Sequence, residues 1–106
     1  MTIIMTVSFH LLPDKRDEAI AAALAMQAAT TREPGCSEYR FWTAADNPNA
    51  LGLFERWDNQ EALDAHLGTA HMAAFGQAMT TVLEQQAELT RYEVASSATY
   101  SGSEDV

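Results

Sequence analysis

Glu55, His66 and His71 fall within about twenty residues of one another and are the side chains best suited to moving a proton. An unperturbed imidazole titrates near 6.5, so His66 suits a general base or a hydrogen-bond partner for substrate. The competing reading is a helix-end histidine satisfied by a backbone carbonyl. His71 falls in the first turn of a helix, where the dipole favours a neutral ring that still donates or accepts; it reads equally as a surface capping residue. Glu55 interrupts an otherwise apolar strand face. Such a carboxylate is either buried with a raised pKa or partnered by an arginine, for which Arg40, Arg56 and Arg91 are available. Phe9, Trp57, Met72 and Phe75 suit the walls of an aromatic-binding pocket or an ordinary core. Ser8 and His10, on the polar side of the first strand, look either into a cavity or into water. No metal is expected, because the two histidines straddle a helix break without a second group of ligands. Cys36 reads as a small apolar residue.

The elements that must position these groups follow from periodicity. Residues 2–12 alternate, with Ile3, Met5, Val7, Phe9 and Leu11 on one face, as a half-buried strand does. Pro13-Asp14 starts a helix that runs to about Thr31, with Ile20, Ala23, Leu24, Gln27 and Ala28 as its inner stripe. Glu33-Pro34-Gly35 stops it. Cys36 to Thr43 is a second strand, residues 44–49 a hairpin-type loop, and Leu51, Leu53, Glu55 and Trp57 one face of a third strand. Asp58 is placed to cap a short helix, with Glu61 completing a capping box. That helix carries Leu63 and His66 and ends at Gly68, which suits a left-handed C-terminal position. Thr69 caps the next helix, where Met72, Phe75, Met79, Val82 and Leu83 recur at helical spacing. A fourth strand lies near Leu89 to Ala95. Residues 96–106 are small, polar and acidic, and are expected to be loose or to reach a neighbour.

Composition sets the limits. A chain of 106 residues holds one domain and one modest core. Six basic against fifteen acidic residues give a net charge of −9, which argues against a nucleic-acid groove or an anionic membrane surface as partner. No apolar run approaches the roughly eighteen residues of a membrane span. The first residues read as a strand and not a leader, and a single cysteine fits a reducing cytoplasm. No dinucleotide fingerprint, phosphate-binding loop, serine elbow or zinc motif is present, so no organic cofactor is expected.

The order strand, helix, strand, strand, helices, strand predicts an α+β, ferredoxin-like four-stranded antiparallel sheet with its helices on one face. Three strands put bulky residues on both faces: Phe41 opposite Trp42, Leu53 opposite Phe54, Leu89 opposite Tyr92 and Val94. One helical layer hides one face only. The other would leave several hundred Å² of apolar surface wet, which predicts a homodimer packed sheet against sheet.

Glu33-Pro34-Gly35-Cys36 with Tyr39, then Glu55-Arg56-Trp57, Ala65-His66-Leu67 and Thr69-Ala70-His71-Met72 with Phe75, resemble the antibiotic biosynthesis monooxygenase family, closest to its small quinol monooxygenases. The likeness covers about residues 2–95. It implies a dimeric α+β barrel, a pocket between each sheet and its own helices, and oxygenation of an electron-rich phenol or quinol by O₂ without metal or flavin. His66, His71 and Glu55 would be its catalytic residues, and Phe9, Ser8, Trp57, Met72 and Phe75 would bind substrate. The family often has proline where Ala70 stands, a change that leaves the helix start intact. Its haem-degrading branch relies on a tryptophan at the place of His66 and an asparagine near Ser8, and this chain has neither. A branch that isomerises a small phosphorylated signalling molecule shares the Glu55, His66 and His71 pattern and stands as one alternative. A non-catalytic dimer that sequesters an aromatic is another.

Overall fold

The computed structural model describes residues 1–102 and builds one sheet under one layer of helices. Strand β1 (Thr2–His10) leads through a 3-10 turn at Pro13–Lys15 into α1 (Arg16–Thr30), then β2 (Cys36–Ala44), β3 (Asn47–Trp57), α2 (Gln60–Leu67), α3 (Ala70–Met79) and β4 (Glu88–Val94). The spatial order is β2-β3-β1-β4 and every pairing is antiparallel. This is the expected ferredoxin-like α+β fold, its second helix broken in two. Residues 103–106, the end of the acidic tail, lie outside the described residues. None of the described helices is long and apolar enough to cross a membrane.

Register carries the period-two pattern through the sheet. Ile3 faces Trp57, Met5 faces Glu55, Val7 faces Leu53 and Phe9 faces Leu51, so all eight side chains lie on the helix side. Tyr39 and Phe41 join them from β2. The opposite face carries Ile4, Phe54, Trp42 and Tyr92 with no helix over it; Trp42 and Tyr92 are about half exposed. The two-sided greasiness read from the sequence is therefore present.

Four local expectations change. The helical stripe of α1 is Ala19, Ala23, Met26 and Thr30, rotated from the expected one, and Leu24 is exposed. The rotation brings Gln27 to the free edge of β2, where its side-chain oxygen accepts the Phe41 N–H at 2.9 Å. An edge strand's unpaired donor thus helps set the angle of the helix above it. The hairpin loop shrinks to Ala45-Asp46, since a bulge at Thr43/Ala44 lets β3 begin at Asn47. Pro48 is accommodated at that strand's very start. Asn59, not Asp58, caps α2 by accepting the Ala62 N–H at 2.9 Å. Gly68 ends α2 as expected but at φ −95°, outside the left-handed region.

The left-handed glycine is instead Gly35, at φ +81°. A Cβ there would lie 2.6 Å from the Ala62 Cβ, and the Gly35 carbonyl accepts the Asp58 N–H at 2.8 Å. The corner between α1 and β2 is thereby pressed directly onto α2. Gly35→Ala should cost about 2 kcal/mol or more, combining a disfavoured φ with overpacking; chemical denaturation of the purified variant measures it, and a loss under about 0.5 kcal/mol would contradict the close approach.

Candidate active site

Between the helix side of the sheet and the α2–α3 pair lies a cavity of about 220 Å³. Val7, Phe9 and Leu53 form its sheet wall, and Met72, Phe75 and Met79 its helix wall. Phe9 and Phe75 meet edge to face, 6.0 Å between ring centres. A carboxyl group, Glu55, an imidazole, His66, and the Tyr39 phenol also line it. No arginine or lysine does, among the described residues.

His66 owes its place to the break between the helices. The Thr69 hydroxyl donates to the His66 carbonyl at 2.8 Å and accepts the Met72 N–H at 3.2 Å, so one side chain closes α2 and opens α3. The expected Thr69 cap is present and does double duty. The His66 ring is 2% exposed, 4.8 Å from the Trp57 ring and 5.6 Å from Tyr39, centre to centre. Its Nδ1 lies 2.6 Å from Glu33 Oε2, and His71 Nε2 lies 2.7 Å from that same oxygen. One carboxylate oxygen therefore joins the α1–β2 corner, α2 and α3.

Glu55 takes the first of the two roles foreseen for it. It is 6% exposed, and Oε1 accepts the Trp57 indole N–H at 2.9 Å. Burial pushes its pKa up; the Glu33 charge adds to that, while the Trp57 hydrogen bond and His66 oppose it. The arginine alternative fails. Arg56 reaches Glu38, Arg91 reaches Gln60 and Glu93, and Arg40 lies over Trp42. Burial also raises Tyr39 above the usual tyrosine range, with the Glu55 charge second. The Cys36 thiol is pushed up to about 11 by burial and then by the Glu33 charge, leaving it a poor nucleophile near neutrality.

The remaining candidates divide. Phe9, Met72 and Phe75 are cavity walls. Trp57 is not: it is completely buried behind Glu55 and His66, which it braces. Ser8 is also displaced, because it pairs with Gly52 on the opposite side of the sheet from Phe9. There it borders a larger hollow of about 480 Å³ with His10 and Trp42. That hollow is an open dish bordered by His10 and Glu88, and the smaller, aromatic-walled cavity, which holds Glu55 and His66, is taken as the candidate site. His71 touches Glu33 but does not line the cavity. Glu33 itself escaped attention as a functional group. An acid just past a helix C-terminus faces the negative end of the dipole, and that misfit was a readable sign of a partner elsewhere.

One carboxylate and two imidazoles also form a donor set that divalent metals accept. The ligand atoms of the three residues lie within 4.8 Å of one another, and the two nitrogens stand 2.6 and 2.7 Å from the carboxylate oxygen. The spacing is that of hydrogen bonds.

The raised Glu55 pKa fixes a pH dependence. The folded state holds this proton more tightly than the unfolded chain, so stability is fullest below the unfolded value near 4.5 and falls as pH rises through the folded value. Glu55→Gln should remove that fall and melt higher than wild type near neutrality. Melting temperatures of both proteins across pH 4 to 8 test it, and parallel curves would contradict it.

Residues 2–78 match the family described as antibiotic biosynthesis monooxygenase. An uncharacterized protein of Synechocystis sp., sll1783, is 31% identical over 97 residues, covering 92% of this chain and 66% of that one. “Putative monooxygenase YcnE” of Bacillus subtilis is 23% identical over 93 residues, covering 88% of this chain and 98% of that one. The structure of Rv0793 from Mycobacterium tuberculosis superposes with a TM-score of 0.87 at 28% identity, covering 93% of this chain and all of that one. This chain thus spans about two thirds of the cyanobacterial relative's length and nearly all of the Bacillus protein's. The family match over most of the chain, the shared fold and the motifs around Glu33, Glu55, His66 and His71 agree: the chain belongs to the antibiotic biosynthesis monooxygenase family.

Proposed function

We propose that the chain is a cofactor-independent monooxygenase that oxidises an electron-rich aromatic, a quinol or fused phenol, inside the cavity beside His66. The observation that carries this reading is the pairing, in one apolar hollow, of an imidazole with a carboxyl group that burial biases toward its neutral form. The hollow is small against the roughly 300–1,000 Å³ of drug-sized sites, which favours one or two fused rings. Phe9, Phe75 and Met72 would hold the ring, and His66 would take the phenolic proton. The anion would then give an electron to O₂. For a hydroquinone, one oxygen atom ends on the ring and the other leaves as water. The substrate supplies all four electrons that O₂ takes up as it becomes a hydroxyquinone, so no external reductant enters.

The isomerase alternative loses support from the same lining. A phosphorylated substrate would need cations converging on it, and the described lining offers none. Oxygen uptake by chelator-treated protein with a panel of hydroquinones, naphthols and anthrones tests the oxygenase reading. Uptake at the blank rate, alongside tight binding, would favour a sequestering role. On an active substrate, His66→Ala should lower kcat by about two to four orders of magnitude, the usual contribution of a positioned base. Full turnover by that variant would remove His66 from the mechanism.

The bare face with Ile4, Trp42, Phe54 and Tyr92 supports a homodimer in which two sheets pack face to face. Sedimentation should give a particle of twice the 11.6 kDa chain. Phe54→Glu, at the centre of that face, should yield monomers; a wild-type monomer at micromolar concentration would exclude the arrangement.

A further inference from the structure

We propose that Glu33 is the positioning residue of this site, holding His66 as its Nδ1–H tautomer so that Nε2 is the nitrogen offered to a bound molecule. The inference rests on the reading of His66 as the base and assigns the group that makes it one. An ionised carboxylate only accepts hydrogen bonds, so the ring nitrogens 2.6 and 2.7 Å from Glu33 Oε2 must both carry hydrogen. A neutral His66 that donates from Nδ1 has its lone pair on Nε2, and Nε2 has no hydrogen-bond partner among the described residues. His66 lines the cavity while Glu33 does not. The carboxylate is thus behind the ring and the cavity in front of it.

His71 supplies the second anchor. Its hydrogen bond to the same oxygen fixes the carboxylate from α3 while leaving His71 itself partly exposed. Charge favours the arrangement. With both rings neutral, the Glu33–His66–His71 array carries one negative charge, in a region that also holds Glu55, Tyr39, Cys36 and Asp58. Accepting one proton at Nε2 neutralises the array: the substrate O–H bond breaks, its electron pair stays on oxygen, and the new imidazolium faces Glu33. A carboxylate behind a catalytic imidazole does the same in serine proteases, fixing the tautomer and stabilising the charged ring.

The direct test is long-range ¹H–¹⁵N correlation of the three histidine rings in the labelled full chain, at a pH where the rings are neutral. Wild-type His66 should show a protonated Nδ1 and a bare Nε2. Glu33→Ala should release it to the Nε2–H form, and His71→Ala should leave the Nδ1–H form in place. A wild-type His66 protonated on Nε2 would overturn the proposal, and so would a Glu33→Ala spectrum unchanged from wild type. The wild-type spectrum decides the matter even if Glu33→Ala does not fold. With an active substrate, Glu33→Ala should lose about 10²- to 10⁴-fold in kcat with KM little changed, and added formate should restore part of it. A protein with no oxygenase activity but the Nδ1–H tautomer contradicts the functional reading alone. An active protein with His66 as Nε2–H contradicts this one alone.

Discussion

Everything around the site hangs on one oxygen atom. Glu33 Oε2 receives a hydrogen bond from α2 through His66 and another from α3 through His71, while Glu33 itself belongs to the corner between α1 and β2. Three elements are thereby referred to a common point. The Glu33 side chain is only 12% exposed and His66 only 2%, so these bonds act where solvent screens little. Gly35, two residues on, presses the same corner against Ala62. A displacement of α2 would open the glycine contact and lengthen the imidazole bond together. The constraint that orients the His66 ring is therefore also one that packs the fold.

The second constraint is that four strands receive one layer of helices. On the α1 side, Ala19 and Ala23 let the helix lie close, and Gln27 ties it to the edge of β2. On the α2–α3 side, Met72, Phe75 and Met79 face the sheet across the cavity, and Thr69 joins the two helices. Glu55 sits at that cavity because the period of β3 places every second residue from Leu51 to Trp57 on the helix side. Its charge is disfavoured there, and the indole of Trp57 is the direct hydrogen-bond partner it finds among the described residues. A polar group kept in such a place is more readily explained by chemistry than by stability.

How much of this the sequence disclosed depends on the range of the interaction. Strand faces were legible because alternation is local: Ile3, Val7 and Phe9 against Leu51, Leu53 and Trp57 needed only period two. The Thr69 cap was legible for the same reason, and Glu55 stood out as an acid on an apolar face. The misreadings are those in which a long-range contact decided. Of the expected α1 stripe, Leu24 is exposed, while Gln27 bonds a strand edge. Asn59 and Asp58 are both good caps, and the chain's entry angle chose Asn59. Ser8 lies on the face its alternation implied, but only the assembled sheet showed that this face is remote from His66. Glu33 was hidden most completely, since its partners lie thirty-three and thirty-eight positions away. The acid misplaced at a helix C-terminus was its one local trace.

On the proposed reading, the hollow under α2 and α3 receives an aromatic oxygen compound and presents it to His66. A crystal structure of the full chain with a naphthohydroquinone or its quinone bound measures this most directly. The ring should lie against Phe9 and Phe75 with one of its oxygens about 3 Å from His66 Nε2. A ligand seated on the bare sheet face beside Ser8 and Trp42, with the hollow closed by side chains, would contradict it.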